Sequence, residues 1–206
     1  MGDNRSLDSM GNLEFDVLRE IGNIGAGNAT TALSKMINEK VDMKVPKIDL
    51  LDFQELPEII GGAENVVVGI LITLEDDIDG MMMFVMERTS AKKIVKLLMG
   101  GYSTDGDEFS EMELSALQEI GNIIAGAYLS SLSQLTGFTI SASIPYMSID
   151  MAGAILSVPA IEFGKVSDKA LLIESEFGEK GTEVNGFFIM IPTIESYSKI
   201  LTSLGL

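Results

Sequence analysis

The chain has 206 residues, of which 46% are apolar, and its formal net charge is −17. That apolar content is sufficient for a sizeable core without disulfides. Because the sequence contains neither Cys nor His, it excludes thiolate nucleophiles, His-based triads and zinc sites built on those ligands. The negative charge disfavours nucleic acid and anionic lipid as partners, since both attract Lys and Arg.

No apolar run reaches the roughly 18 residues that a membrane-spanning helix requires. The first residues, 1–6, lack the cationic and apolar regions of a signal peptide. We therefore expect a protein that does not insert into membranes and resides in the cytoplasm.

An internal repeat relates the two halves of the chain. Residues 16–46 align with residues 115–145 at a constant offset of 99, without a gap, and 11 of the 31 positions are identical. The repeat predicts a single domain, 1–206, built of two similar halves at about 12–101 and about 109–206.

Each copy of the repeat begins as a long helix. In the second copy Ser110 and Glu113 have the spacing of a capping box, and Gly137 suits the left-handed residue that ends a helix. Apolar residues recur at helical spacing. Those expected to face the core are Leu18, Ile21, Ala29, Leu33 and Met36, followed by Leu114, Leu117, Ile124, Tyr128, Leu132 and Leu135.

Strands and a closing helix follow each long helix. Alternation of apolar and polar residues predicts a strand that ends at Pro46 in the first copy and at Pro145 in the second. Hairpins are predicted at 66–73 with 81–87 and at 170–177 with 186–191, and final helices at 90–99 and 194–204. Each half thus reads helix, strand, variable segment, two strands, helix, which is an α+β order.

A polar stripe marks one face of each long helix. Asp16, Glu20 and Asn23 are spaced i, i+4, i+7 and fall within about 60° of one another. The second copy repeats this spacing. Because the apolar residues occupy the other side, we expect both stripes to face solvent or a partner. The repeated stripe consists of Ser115, Glu119 and Asn122.

Glycines inside these helices need an explanation, because each costs roughly 1 kcal/mol relative to alanine. Gly27 and Gly126 follow the Asn by about one turn on the same face, where a bare backbone would let a partner or a phosphoryl group approach. Gly22 and Gly121 lie off the stripe and suit close helix packing. Packing alone is the alternative explanation for all four.

Two other kinds of site do not fit the sequence. A dinucleotide loop on Gly25 and Gly27 would need glycine where Thr30 stands, and no strand precedes it. The acidic turn 75–80 would need a bidentate Glu where Met86 stands to be a calcium loop, so it is predicted to be a hairpin tip.

The complete pattern is Asp or Ser, three residues, Glu, two residues, Asn, twenty-two residues, Pro, and both copies fit it. It closely resembles the signature of the CheC/CheX/FliY phosphatases of bacterial chemotaxis. Since few residues precede the first helix and none follows Leu206, the chain is most similar to stand-alone CheC proteins. The resemblance implies a pseudo-twofold CheC-like fold whose two long exposed helices carry the sites.

The resemblance also implies an activity. The substrate would be the aspartyl phosphate of the response regulator CheY, which brings its own Mg²⁺, so no cofactor or metal of the chain is expected. Asn23 and Asn122 would position the attacking water, which suits a reaction that needs mainly positioning. Glu20 and Glu119 would dock the regulator. Asp16 and Ser115 would help to orient it.

A second partner and a rival function follow from the same resemblance. Family members bind the receptor-modifying deamidase CheD, and the mostly apolar segment Tyr146 to Leu156 could form that surface or pack into the core. The rival function is a non-catalytic flagellar-switch or CheD-binding adaptor, because switch proteins such as FliM share the architecture without the Glu and Asn pairs.

Overall fold

A sheet with helices on both faces forms the part of the chain that a computed structural model describes, residues 12–37, 43–101, 106, 108–163, 169–177 and 184–206. The first half contains α1 (Asn12–Ile37), β1 (Met43–Asp52), α2 (Leu56–Ile59), β2 (Val66–Asp76), β3 (Gly80–Glu87) and α3 (Arg88–Leu98). The second contains α4 (Glu111–Thr136), β4 (Ile140–Ala142), β5 (Tyr146–Met151), α5 (Ala152–Phe163), β6 (Lys169–Phe177), β7 (Val184–Pro192) and α6 (Ile194–Ser203).

The strands pair antiparallel in the order β1-β6-β7-β3-β2, and β4 and β5 both pair with the outer side of β2. If β1 corresponds to β4 and β5, β2 to β6, and β3 to β7, the order reads the same from both edges. Ile48 pairs with Ile173, and Met147 pairs with Ile70 in the matching place. This arrangement is consistent with the duplication, and the predicted α+β order of elements is confirmed.

Alternating side chains of the central strand β3 separate two apolar layers. Met82 and Phe84 belong to the layer beneath α1, α3 and α4, whereas Met83 and Val85 face α2 and α5. Burial of such apolar side chains is the main favourable term in folding. The two long helices therefore lie together on one face of the sheet.

Local signals at the ends of α4 match their predictions. Ser110 accepts a hydrogen bond from the Glu113 N–H, and the Glu113 carboxylate accepts one from the Ser110 N–H at 2.7 Å, so the capping box is confirmed. The buried Glu113 carboxylate also lies 3.2 Å from the Lys92 ammonium, which ties α3 to the start of α4. Gly137 ends the helix with φ of 76°.

Four sequence expectations about the strands and the core were wrong. In the second copy the strand ends at Ala142 rather than at Pro145, and a further strand, β5, begins at Tyr146. Pro46 does not end a strand, because β1 continues through it with a register shift between Lys44 and Lys47. A bulge in a strand that pairs on one side accommodates a residue without an N–H. Met36 and Leu135 are 43% and 42% exposed, since each lies in the last turn of its helix.

Candidate functional site

All residues predicted for the two sites are exposed, on the outer sides of α1 and α4. The inner sides of the same turns are buried, as Ile21 and Ile120 show. The structure therefore presents two exposed polar stripes on helices whose inner faces pack against the core. The first consists of Asp16, Glu20, Asn23 and Gly27, and the second of Ser115, Glu119, Asn122 and Gly126.

The first stripe carries an additional charge pair. The Arg19 guanidinium lies 3.5 Å from the Asp16 carboxylate, and both side chains are mostly exposed. An exposed pair of this kind contributes little to stability. It does place a cation beside Asp16, so the first site combines the two carboxylates of Asp16 and Glu20 with one guanidinium.

The second stripe is neutral at the equivalent positions. Ser115 donates a hydrogen bond to the Glu111 carbonyl at 2.9 Å, and Gln118 donates one to the Pro145 carbonyl at 2.9 Å. The Gln118 bond joins the site helix to the connection between β4 and β5. It was missed in the sequence, although the fixed distance between Asn and Pro in both copies was a signal that the segments meet.

The helix glycines fall into two groups with different surroundings. A Cβ atom added to Gly22 would lie 2.9 Å from Ile48, and one added to Gly121 would lie 2.7 Å from Ile70. The close-packing prediction for these two is therefore confirmed. A Cβ atom added to Gly27 or Gly126 would meet nothing within 4 Å, so nothing within the described chain requires glycine there.

The packing of α1 against α4 distinguishes the two copies. Gly25 leaves room for Tyr128, because a Cβ atom on Gly25 would lie 2.6 Å from the ring. The Tyr128 ring stacks on Phe188 with centroids 4.3 Å apart, and burial raises the pKa of Tyr128 to about 12. Asn28 donates to the Ser131 hydroxyl at 3.0 Å across the same interface. The helices thus form a rigid support for the stripes.

Other candidate sites are less well supported. At the hairpin tip the Asp77 carboxylate accepts a hydrogen bond from the Thr139 N–H at 2.8 Å, and Asp76 bonds to Ser141, so these acids tie the hairpin to β4. Among the described residues, no three His, Cys, Asp or Glu side chains cluster as metal ligands. Nor does any described helix have the length and apolar character needed to cross a membrane.

The apolar segment Tyr146 to Leu156 divides between surface and core. Tyr146 and Met151, on the outer strand β5, are exposed, whereas Ala152 and Leu156, on α5, are buried within the apolar layer between the sheet and helices α2 and α5. Core packing, one of the two sequence interpretations of this segment, therefore applies to the part on α5, whereas the part on β5 is exposed.

Comparison with known proteins assigns the family. The model of the CheC-like family matches residues 13–49 and 112–146, which contain both stripes. The chain is 36% identical over 196 residues to the CheY-P phosphatase CheC of Bacillus subtilis (strain 168), covering 93% of this chain and 94% of that protein. The chain belongs to the CheC-like family.

Solved structures share the fold. The crystal structure of FliY from Thermotoga maritima superposes with a TM-score of 0.76 at 24% identity, covering 96% of this chain and 98% of that one. The CheX chain in the CheX–CheY–BeF₃–Mg²⁺ complex from Borrelia burgdorferi gives a TM-score of 0.51 at 18% identity, covering 82% and 96%. These likenesses confirm the CheC-like fold predicted from the sequence.

Proposed function

We propose that the chain hydrolyses the aspartyl phosphate of a CheY-type response regulator, with water positioned by Asn23 and Asn122 at two separate sites. The Bacillus relative is named as a phosphatase of phosphorylated CheY and matches nearly the whole chain. A CheX protein of the same fold has been crystallised with CheY, BeF₃ and Mg²⁺. Both comparisons support CheY-P dephosphorylation as the activity of this chain.

One structural observation carries the mechanistic part of this proposal. In both copies an exposed Glu and an exposed Asn lie one turn apart on a rigid helix, and a bare glycine follows them. An ordinary solvated helix face has no use for glycine, which lowers helix stability. Glycine is useful on a surface that must admit another protein's phosphorylated active site, because any side chain there would hold the helix backbone away from that protein.

The chemistry fits the side chains that are present. Phosphoryl transfer depends chiefly on alignment of the attacking water and on compensation of charge. The Asn carbonyl accepts a hydrogen bond from that water while its amide donates to a phosphoryl oxygen, and its neutrality avoids repulsion of the anion. The regulator supplies the phosphorylated carboxylate and its Mg²⁺, so the chain needs no cofactor of its own.

The Glu residues serve to dock the regulator. Glu20 and Glu119 are exposed one turn before each Asn. There each carboxylate would pair with a lysine at the regulator's active site. Asp16 and Ser115 lie a further turn away, where they orient the contact rather than take part in the chemistry.

The proposed activity is tested by mixing the purified chain with a phosphorylated CheY-type regulator and following the release of inorganic phosphate. We expect release to be faster in proportion to the concentration of the chain and to show saturation with regulator. The rival adaptor function gives the opposite result, namely capture of the phosphorylated regulator with no change in its rate of dephosphorylation.

We also propose that CheD docks on the exposed edge formed by β5. This part rests on the family resemblance and on the exposure of Tyr146 and Met151 at the outer strand of the described sheet. A Tyr146→Ser variant should lose co-purification with CheD while keeping its phosphate-release rate. Retained CheD capture by that variant would contradict the assignment of this surface.

A further inference from the structure

Two exposed apolar side chains occupy equivalent positions in the two copies. Leu13 on α1 is 64% exposed and Met112 on α4 is 68% exposed. Their positions differ by the same offset of 99 that relates the two polar stripes. Each lies in the first turn of its helix, one turn before Asp16 or Ser115.

Both side chains continue the line of the stripes. Leu13 precedes Glu20 by seven residues, and Met112 precedes Glu119 by seven, so each lies about 20° from the Glu around the helix. From Leu13 to Gly27 the stripe covers an arc of about 80°. Ten residues separate Leu13 from Asn23, which corresponds to about 15 Å along the helix axis.

Single exposed apolar residues are common on protein surfaces and by themselves indicate little. Here the first copy has Leu and the second has Met, so the residue types differ, but both side chains are long and apolar. The property shared by the two copies is therefore apolar character at one place on the stripe. Neither side chain belongs to the apolar layers of the described fold.

We infer that Leu13 and Met112 are docking residues for the response regulator, each contacting an apolar patch on the regulator's surface beside its phosphorylated active site. The inference rests on the proposed function. The Glu supplies charge recognition close to the chemistry, and the apolar side chain supplies a second contact about two turns further out. Two contacts at different distances from the phosphoryl group fix the direction in which the regulator lies along the helix.

An apolar docking contact also suits the electrostatics of this chain. At a net charge of −17 the chain attracts basic surfaces in general, and salt screens that attraction. Removal of apolar surface from water on both partners adds affinity without depending on salt. We therefore expect the contact with Leu13 and Met112 to persist at salt concentrations that screen the Glu contacts.

The test is a Leu13→Gln/Met112→Gln double variant, which alters both predicted sites. Glutamine has nearly the same helix propensity as Leu and Met, so the helices should keep their stability. Loss of one partly buried apolar contact should raise KM for the phosphorylated regulator about 5-fold and leave kcat unchanged. The same change should weaken binding of the beryllofluoride-activated regulator, measured by calorimetry, by a similar factor.

The matched control is Ile161→Gln, because Ile161 is 71% exposed and lies on α5, on the opposite face of the sheet. This variant should keep the wild-type KM. An unchanged KM in the double variant, with an active wild type, would overturn the docking role alone. A wild-type chain that does not accelerate phosphate release would instead overturn the proposed function on which the role depends.

Discussion

Alanine in place of Gly27 and Gly126 should make the protein more stable and less active. These two glycines lie on the exposed stripes, and an added Cβ atom would meet nothing within 4 Å in the described chain. Any effect of the methyl group on activity must therefore come from a molecule that approaches the helix from outside. The same substitution at Gly22 would clash with Ile48 and would not separate the two effects.

The expected gain in stability follows from helix propensity. Each exposed glycine in a helix interior is roughly 1 kcal/mol less favourable than alanine, so the double variant should gain about 2 kcal/mol. For a chain of 206 residues the unfolding entropy is about 0.43 kcal/mol/K, which gives a rise in Tm of about 5 °C. The magnitude is large enough to measure by calorimetry.

The expected loss of activity follows from contact distance. A methyl group on the helix surface holds a closely packed partner away by more than 1 Å, and misplacement on that scale costs about 100-fold in rate. Phosphate release from the phosphorylated regulator should therefore slow by at least about 10-fold in the Gly27→Ala/Gly126→Ala variant.

A control separates added stability from blocked access. Ser157→Ala replaces an exposed residue of α5, on the opposite face of the sheet, with the best helix former. This variant should be slightly more stable and fully active. A Gly27→Ala/Gly126→Ala variant that gained stability and kept wild-type activity would refute the idea that bare backbone admits the partner.

The remaining predictions concern docking and pH. Glu20→Gln/Glu119→Gln should raise KM for the regulator about 10-fold at low salt and by less at 0.5 M salt. The control Glu162→Gln, on α5, should keep the wild-type KM. A wild-type KM in the double variant would contradict the docking role. Burial raises the pKa of Tyr128 to about 12, so the folded state keeps the phenol neutral where the unfolded state ionises it. The stability contributed by Tyr128 is therefore full below pH 10 and is lost between pH 10 and pH 12. Denaturant unfolding at pH 9 and at pH 11.5 measures how much free energy of unfolding is lost between the two pH values. The loss in Tyr128→Phe should be about 2 kcal/mol smaller than in the wild type, and identical losses would disprove the assignment.

Local signals made much of the fold predictable. The capping box at Ser110 and the terminal Gly137 are read from neighbouring residues, and the hairpins from pairs of largely apolar runs separated by a few residues. The stripe itself was predictable because helical geometry fixes which residues share a face. Both kinds of signal depend only on residues close in the chain.

Features that depend on distant residues were not predictable. The position of β6 between β1 and β7 has no local signal, and neither does the bulge that carries β1 through Pro46. Periodicity assigned Met36 and Leu135 to the core because it cannot show where the sheet beneath a helix ends. The Gln118 bond to Pro145 likewise arises only when α4 meets the connection between β4 and β5.

The two site glycines illustrate the same division. The sequence placed Gly27 and Gly126 on the stripe, and it left open whether they served packing or access. The surroundings of each Cβ position, open at Gly27 and Gly126 but filled at Gly22 and Gly121, show which glycines serve packing. The structure thus favours access over packing for Gly27 and Gly126, which their spacing in the sequence could not decide.

Phosphate release by an Asn23→Ala/Asn122→Ala variant tests most directly whether the side-chain amides carry the chemistry. Asn28→Ala is the matched control, because Asn28 lies on the same helix away from the stripe and its counterpart in the second copy is Ala127. We predict that kcat falls by about 100-fold or more in the double variant, while affinity for the beryllofluoride-activated regulator stays within about 2-fold. Undiminished kcat in the double variant would contradict the mechanism.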